Sequence, residues 1–455
     1  MQTTPVSQSQ VKLTLKERHR AIGALSLPII GGMISQNIVN LVDTAMVGQV
    51  GTTALASVGL GSFLNFFCSA LVMGLAVGVQ TLCARQRGAK DPFFAIPLNA
   101  GLMLSTAISI PLSALLIWQT PSLMAWVTDT PEIASAGGDY LQARLFGMVA
   151  MGANFAFRSY WSAVEKTSIY MLVLIVMHIA NIVLNWLLIF GNLGFPELGV
   201  EGAGYGTAIS MWIGVILYTL FALKHALPYG FIRGLPSREV WRELLRMSIP
   251  SGVERMFFAL GMTVFMSLIG KMGEAELAAS NIVLNLFLVA ILPAMGFGIA
   301  SATLVAKSIG AQEILEAPRW RWAVSQWSLI TLLMIGTVFW IFSHEVVAIF
   351  TDDLLSARFA ESSLLLMVVF LPFEAIHMVT YQSLVGLADN RFVMFISLGM
   401  QWLVVLPLIY LFGLVLGWGM IWVWGVHFSG RVLQLVLYSL RWRNRLRAQL
   451  ILSES

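Results

Sequence analysis

Charge is what this 455-residue sequence has least of. Only 11% of its residues are Asp, Glu, Lys or Arg, and 58% are hydrophobic; soluble domains carry about 25% charged residues. So few charges cannot clothe a water-facing surface of this size. That excludes a soluble enzyme of one to three domains, and equally a disordered or fibrous chain. Cysteine is nearly absent. Cys68 and Cys83 both fall in apolar stretches, so no disulfide framework is implied. There is no phosphate-cradling Gly-x-x-x-x-Gly-Lys, no Cys/His spacing for a metal and no nucleophile elbow, so the motifs of ATP coupling and of hydrolytic chemistry are missing. The net charge of +4 does not mark a nucleic-acid partner, because the basic residues sit between hydrophobic segments rather than on one amphipathic face.

What is there is a succession of long apolar segments. A spanning helix needs roughly 20 apolar residues, and twelve segments qualify: 22–47, 55–83, 95–120, 140–162, 168–190, 203–227, 244–270, 277–306, 323–350, 363–387, 393–414 and 420–440. The fold class expected is therefore an all-α membrane protein of twelve transmembrane helices. The first segment is longer than a signal-peptide core, so it reads as an uncleaved first helix. Alternate loops are basic, with Lys12, Lys16, Arg18 and Arg20 before the first span, Arg85, Arg87 and Lys90 after the second, and Arg441, Arg443, Arg445 and Arg447 after the last. The opposite loops carry Asp129, Glu132, Glu197, Glu201, Glu274 and Glu276. By the positive-inside rule both termini are cytoplasmic. The polar stretch with Pro228, Pro236, Arg238 and Arg242 divides the chain. The expected plan is a cytoplasmic tail at 1–20, an amino lobe at 21–227, a cytoplasmic linker at 228–243, a carboxyl lobe at 244–441 and a cytoplasmic tail at 442–455.

The two halves repeat. A shift of 222 residues places Ser26 on Ser248, Pro28 on Pro250, Gly48 on Gly270, Gly51 on Gly273, Gly74 on Gly296, Gly88 on Gly310 and Ala89 on Ala311. Each half has six spans, so both start on the same side. The lobes are then related by a parallel pseudo-two-fold axis near the membrane normal, with a cleft between them suited to alternating access.

Charges inside the lipid are costly, about 2.5–3.5 kcal/mol each on insertion scales, and mark function by default. Asp43 in the first span, Glu254 in the seventh and Glu374 in the tenth qualify. Burial penalises an ionised carboxylate, so Asp43 suits exchange of a proton or capture of a small hard cation such as Na+; a carboxyl capping a broken helix is the plainer alternative. His178, Asn181 and Asn185 in the fifth span recur at spacings of three and four and share a face, as ligands or hydrogen-bond partners of a carboxyl or as interhelical glue. Glu254 stands beside Arg255. Glu374 shares a face with His377, and Arg431 of the twelfth span lies on a face with Trp424 and His427. These carboxyl-lobe residues read as a second ion site, a cationic-substrate contact or structural ion pairs. Pro28 is the expected bending point of the first helix, since proline frees a backbone carbonyl.

The run Leu-Val-Asp-Thr-Ala-Met-Val-Gly at 41–48, followed by Gly51 and Ala54-Leu-Ala, resembles the first-helix motif of the multidrug and toxic compound extrusion (MATE) family. Asn181-Ile-Val-Leu-Asn-Trp-Leu-Leu-Ile-Phe-Gly, then Pro196-Glu-Leu-Gly and Gly202-Ala-Gly-Tyr-Gly-Thr-Ala, is similar to its fifth and sixth helices. The bacterial NorM-like branch is nearest. The resemblance implies an antiporter of the bacterial inner membrane that expels small organic cations in exchange for protons or sodium ions. It implies no cofactor beyond that ion, and a monomer in the bilayer with no nucleic-acid partner. It also implies a cation-coupling set of Asp43, Asn181, Asn185 and Thr207, and matches the helix-10 acidic position to Glu374. Two departures stand out. Some members have aspartate where this chain has Asn185, which removes a charge. Some place the helix-7 glutamate a turn later than Glu254, where this chain has Phe258. The main rival is a flippase for a lipid-linked precursor. Its cavity would be strongly basic to hold phosphates, whereas here Asp43, Glu254 and Glu374 balance Arg255 and Arg431. A membrane-embedded enzyme lacks any catalytic constellation.

Overall fold

The computed structural model describes residues 14–454; Lys12 of the basic tail lies outside them. The described residues form fifteen α-helices: α1 Leu15–Gly48, α2 Thr52–Gly88, α3 Ile96–Val127, α4 Pro131–Leu145, α5 Met148–Ala163, α6 Thr167–Phe190, α7 Gly199–His225, α8 Arg238–Gly270, α9 Glu274–Gly310, α10 Glu316–Ile341, α11 Ser343–Ala348, α12 Leu354–Gly386, α13 Asn390–Gly399, α14 Leu406–Ile409 and α15 Met420–Glu454. Residues 390–415 form one span whose backbone widens into π-helical turns at 400–405 and 410–415.

Among the described residues eleven helices are long and apolar enough to cross a membrane. The fourth crossing departs from the uninterrupted span expected at 140–162. It begins at Pro131 and is made of two helices, α4 and α5, joined by a turn at Phe146 and Gly147. A Cβ on Gly147 would meet the Cα of Ala208 in α7 at 3.0 Å, so the backbones approach closely where the helix breaks. With twelve crossings, both described ends of the chain lie on one face, here the terminal face. The expected linker at 228–243 is helical from Arg238 onward.

Local signals set the helix starts. Thr14 and Glu17 form a capping box on α1, and Ser237 and Asp353 cap α8 and α12 with their side chains, satisfying amides that have no intrahelical partner. Large aromatics fill each lobe. Phe157, Tyr160, Trp161 and Tyr218 sit in the amino-lobe core, and Phe265, Phe287 and Trp424 in the carboxyl-lobe core.

The interface between lobes obeys the repeat. α2 lies along α8, and α1 lies along α9. A Cβ on Gly74 would fall 2.2 Å from the Cα of Gly252; on the register partner Gly296 it would fall 2.4 Å from Ile30, the register partner of Gly252. The 222-residue shift thus exchanges one interlobe contact for the other. Lys90 and Gln312, also register partners, share a left-handed backbone (φ 56° and 60°). Among the described residues the hydrogen bonds joining the lobes lie toward the terminal face: Gln80 donates to Ile299 O and Thr303 Oγ1 (both 3.0 Å), Thr81 to Val385 O (3.3 Å), Arg85 to Gly386 O (3.3 Å), Lys307 to Glu165 (2.6 Å) and Trp327 Nε1 to His19 Nδ1 (2.7 Å). Arg18 pairs with Glu316 across the same half. The other half of α1 is largely exposed.

Just beyond α12, Asp389 is buried and accepts hydrogen bonds from Arg441 Nε (2.7 Å) and Arg445 Nε (2.9 Å), with two longer bonds from their Nη2 atoms. Burial alone would raise its pKa, but the two arginines outweigh it and hold the carboxyl below its usual range. A depressed folded-state pKa contributes stability above the unfolded value, about 3.9, and loses it as pH falls through the lower folded value. Asp389→Asn should therefore destabilise the protein by about 2 kcal/mol at pH 7. The difference in melting temperature from wild type, measured in detergent, should shrink as the pH drops below about 4. A difference independent of pH would show that the pair contributes geometry rather than charge.

Candidate functional site

Asp43 stands near the far end of α1, half-buried and facing α6. Asn185, fully buried on α6, donates from Nδ2 to Asp43 Oδ1 at 2.8 Å. It has room because Gly206 of α7 carries no side chain; a Cβ there would lie 2.1 Å from Asn185 Oδ1. Asn181, one turn earlier, lies between Asp43 and Thr207 of α7. Its amide nitrogen donates to Asp43 Oδ1 and Oδ2 at 3.0 and 3.2 Å, and its oxygen accepts from Thr207 Oγ1 at 3.1 Å. The structure thus brings together all four residues of the expected amino-lobe set.

α6 grips α1 at two further heights. Ser35 Oγ lies 2.7 Å from His178 Nδ1, and Gln36 Oε1 lies 3.2 Å from His178 Nε2. One neutral tautomer satisfies both, with Nδ1 accepting and Nε2 donating. Near the terminal face, Thr167 donates to Ala24 O at 3.0 Å. Ala24 is four residues before Pro28, so its carbonyl is the one that the proline leaves without an intrahelical donor. α1 runs as a helix through Pro28, with that carbonyl capped from α6.

The carboxyl-lobe residues form two groups rather than one. Glu254 is buried on α8. Its Oε1 accepts from Ser397 Oγ at 2.6 Å and its Oε2 from Tyr381 at 3.2 Å, and Tyr438 lies 2.8 Å from Ser397. Its partners are hydroxyls; no ion pair joins it to Arg255 among the described residues. Glu374 is buried on α12, 3.8 Å from Arg431 Nε and 3.5 Å from His377 Nδ1. Neither of its oxygens accepts a hydrogen bond from any described residue. Arg431 is partly exposed, and its guanidinium lies 5.9 Å from the ring centre of Phe258.

Sequence reasoning missed several of these residues. Ser35, Gln36, Thr167, Tyr381 and Ser397 are polar residues with no charge to draw attention. Arg144 sits at the end of α4 and is the cation whose field reaches Asp43. It lay inside the predicted fourth span, and an arginine there was a usable signal.

The MatE family model matches residues 28–187 and again 250–411, together more than half of the chain. The chain belongs to the MatE family. The two matched segments start 222 residues apart, at the register partners Pro28 and Pro250. Among curated relatives, "Probable multidrug resistance protein NorM" of Pseudomonas aeruginosa is 28% identical over 89% of this chain and 85% of its own. The protein of the same name from Thermotoga maritima is 27% identical over 75% of this chain and 74% of its own. Among solved structures, this MatE-family fold superposes on a MATE protein in the bent conformation with a TM-score of 0.88 at 23% identity, covering 96% of this chain and 97% of the other. The straight conformation gives 0.86 at 24% identity, covering 95% and 97%. A MOP superfamily transporter from Pyrococcus furiosus, described as having a binding pocket of reversed polarity, gives 0.86 at 22% identity over 95% and 96% of the two chains.

Proposed function

We propose that this chain is a secondary active multidrug efflux antiporter of the bacterial inner membrane. In this reading it exports small organic cations in exchange for protons or sodium ions by alternating access, with the terminal face cytoplasmic. The NorM relatives carry multidrug resistance in their names, which supports the cargo class. The observation that carries the coupling is the half-buried Asp43 carboxyl, held by amide donors from Asn181 and Asn185.

The carboxylate receives hydrogen bonds from Asn181 and Asn185, which favour its charged form. Taking up a proton or a small hard cation neutralises it and removes the main cost of its burial, so the occupancy of Asp43 and the hydrogen bonds around it change together. In the carboxyl lobe, Glu374 neutralises Arg431 beside the aromatic Phe258, so that the wall does not repel a cationic guest. Glu254 is held by Ser397 and Tyr381 in a supporting role.

The test is transport by purified protein in proteoliposomes, with an imposed proton or sodium gradient and a cationic dye. Gradient-driven dye movement is expected. Movement of an anionic lipid-linked precursor and of no organic cation would replace this reading with the flippase.

A further inference from the structure

The shared register of the lobes meets at one place outside the sites above. α2 and α9 end side by side on the terminal face, and each ends in a glycine. A Cβ on Gly88 would lie 2.0 Å from the carbonyl oxygen of Lys307; on Gly310 it would lie 1.9 Å from the carbonyl oxygen of Arg85. Gly88 and Gly310 are register partners, and so are Arg85 and Lys307. The contact is therefore reciprocal, each helix resting its last turn on the other's glycine. The obstructing atoms are backbone on both sides, so no side-chain rotation would relieve a Cβ. Small residues permit such close approach between membrane helices.

An ion pair lies across the same seam. Glu165, in the turn between α5 and α6, takes a left-handed backbone (φ 56°). It accepts from Lys307 Nζ at 2.6 Å, with Arg87 at 3.9 Å. Arg85 donates across the seam to Gly386 O. The lobes are joined here and along the adjoining half of α2, while no interlobe hydrogen bond among the described residues lies in the opposite half.

We propose that the Gly88–Gly310 crossing is the cytoplasmic gate of the transport cycle, closed in this structure and latched by Glu165 and Lys307. This rests on the alternating-access reading. Opening toward the cytoplasm must part the two glycines, break the Glu165–Lys307 pair and free Gln80 and Thr81 from α9 and α12. The glycines set how closely the lobes can shut, and the ion pair sets how long they stay shut. A larger residue at either glycine holds the gate ajar. Both act at one contact, so substituting the two together opens it no further than either alone.

The probe is Thr81→Cys, whose site is 1% exposed at the seam, labelled by a membrane-impermeant maleimide in inside-out vesicles. Labelling of the parent chain, which carries Cys68 and Cys83, is subtracted. Gly88→Leu and Gly310→Leu should each raise the labelling rate about tenfold, with no further gain in the double variant. Unchanged labelling in monodisperse variants would overturn the gate. Should the leucine variants misfold, the latch supplies the reading. Glu165→Lys and Lys307→Glu should each speed labelling several-fold, and the combined charge swap should restore protection. A swap no more protected than the singles, or singles labelled like wild type, would overturn the proposal. Labelling needs neither cargo nor gradient, so a chain that moved no organic cation would fail as an antiporter while its gate still read out.

Discussion

Export by Asp43→Asn should fall by roughly 100-fold, the upper range of coupling free energies between linked sites, while the variant inserts and is produced at wild-type level. The substitution keeps the size of the side chain and the oxygen that accepts from Asn185. What it removes is the charge, and with it the group that a proton or cation would neutralise. In the proposed cycle cargo affinity then stops responding to the coupling ion, and by reciprocity the ion stops responding to cargo. Export and expression must be measured together, with dye efflux under imposed proton and sodium gradients. Asn181→Ala should impair export and flatten its dependence on the gradient, because it removes one of the two amide donors that hold the Asp43 carboxylate. Wild-type export by well-expressed Asp43→Asn would move coupling to Glu254 and Glu374.

Much of this molecule is legible in the sequence because the bilayer imposes coarse rules. Length and apolarity locate the crossings, and the 222-residue register follows from glycines and prolines that have few substitutes. Glycines 88 and 310 are readable as repeat markers, but the contact they make is not, since a close approach between helices leaves no pattern along either one. Asp43 announces itself as a charge in lipid, and Asn181 and Asn185 by sharing a helical face. Thr167 does not announce itself. It matters because Pro28, far away in sequence, strands the carbonyl of Ala24, and only packing of α6 on α1 puts the two together. The break between α4 and α5 escapes for the same reason: Gly147 alone does not end a span, and the close approach of Ala208 shows why it turns there. Glu254 and Glu374 look alike in the sequence. Their partners make them different.

That difference gives the second large expected effect. Glu254 is occupied by two hydroxyl donors, and glutamine can still accept from Ser397. Export by Glu254→Gln should stay within about threefold of wild type, the scale of one net hydrogen bond. Glu374 is different, for its charge is what balances Arg431. Glu374→Gln leaves the guanidinium uncompensated at the partly exposed wall beside Phe258. A cationic guest about 7 Å from it, at an effective dielectric between bulk water and the protein interior, meets a repulsion of about 1–2 kcal/mol. KM for a cationic dye should rise about tenfold, with kcat less affected. The same variant should also be less stable, because it leaves the partly exposed Arg431 without the carboxylate that balances it. The loss acts through Arg431, so removing that charge should reverse it: the double variant Glu374→Gln, Arg431→Gln should recover most of the dye affinity. If the double variant binds no better than Glu374→Gln alone, then Glu374 is not a neutraliser of Arg431 but itself meets the cargo or the coupling ion.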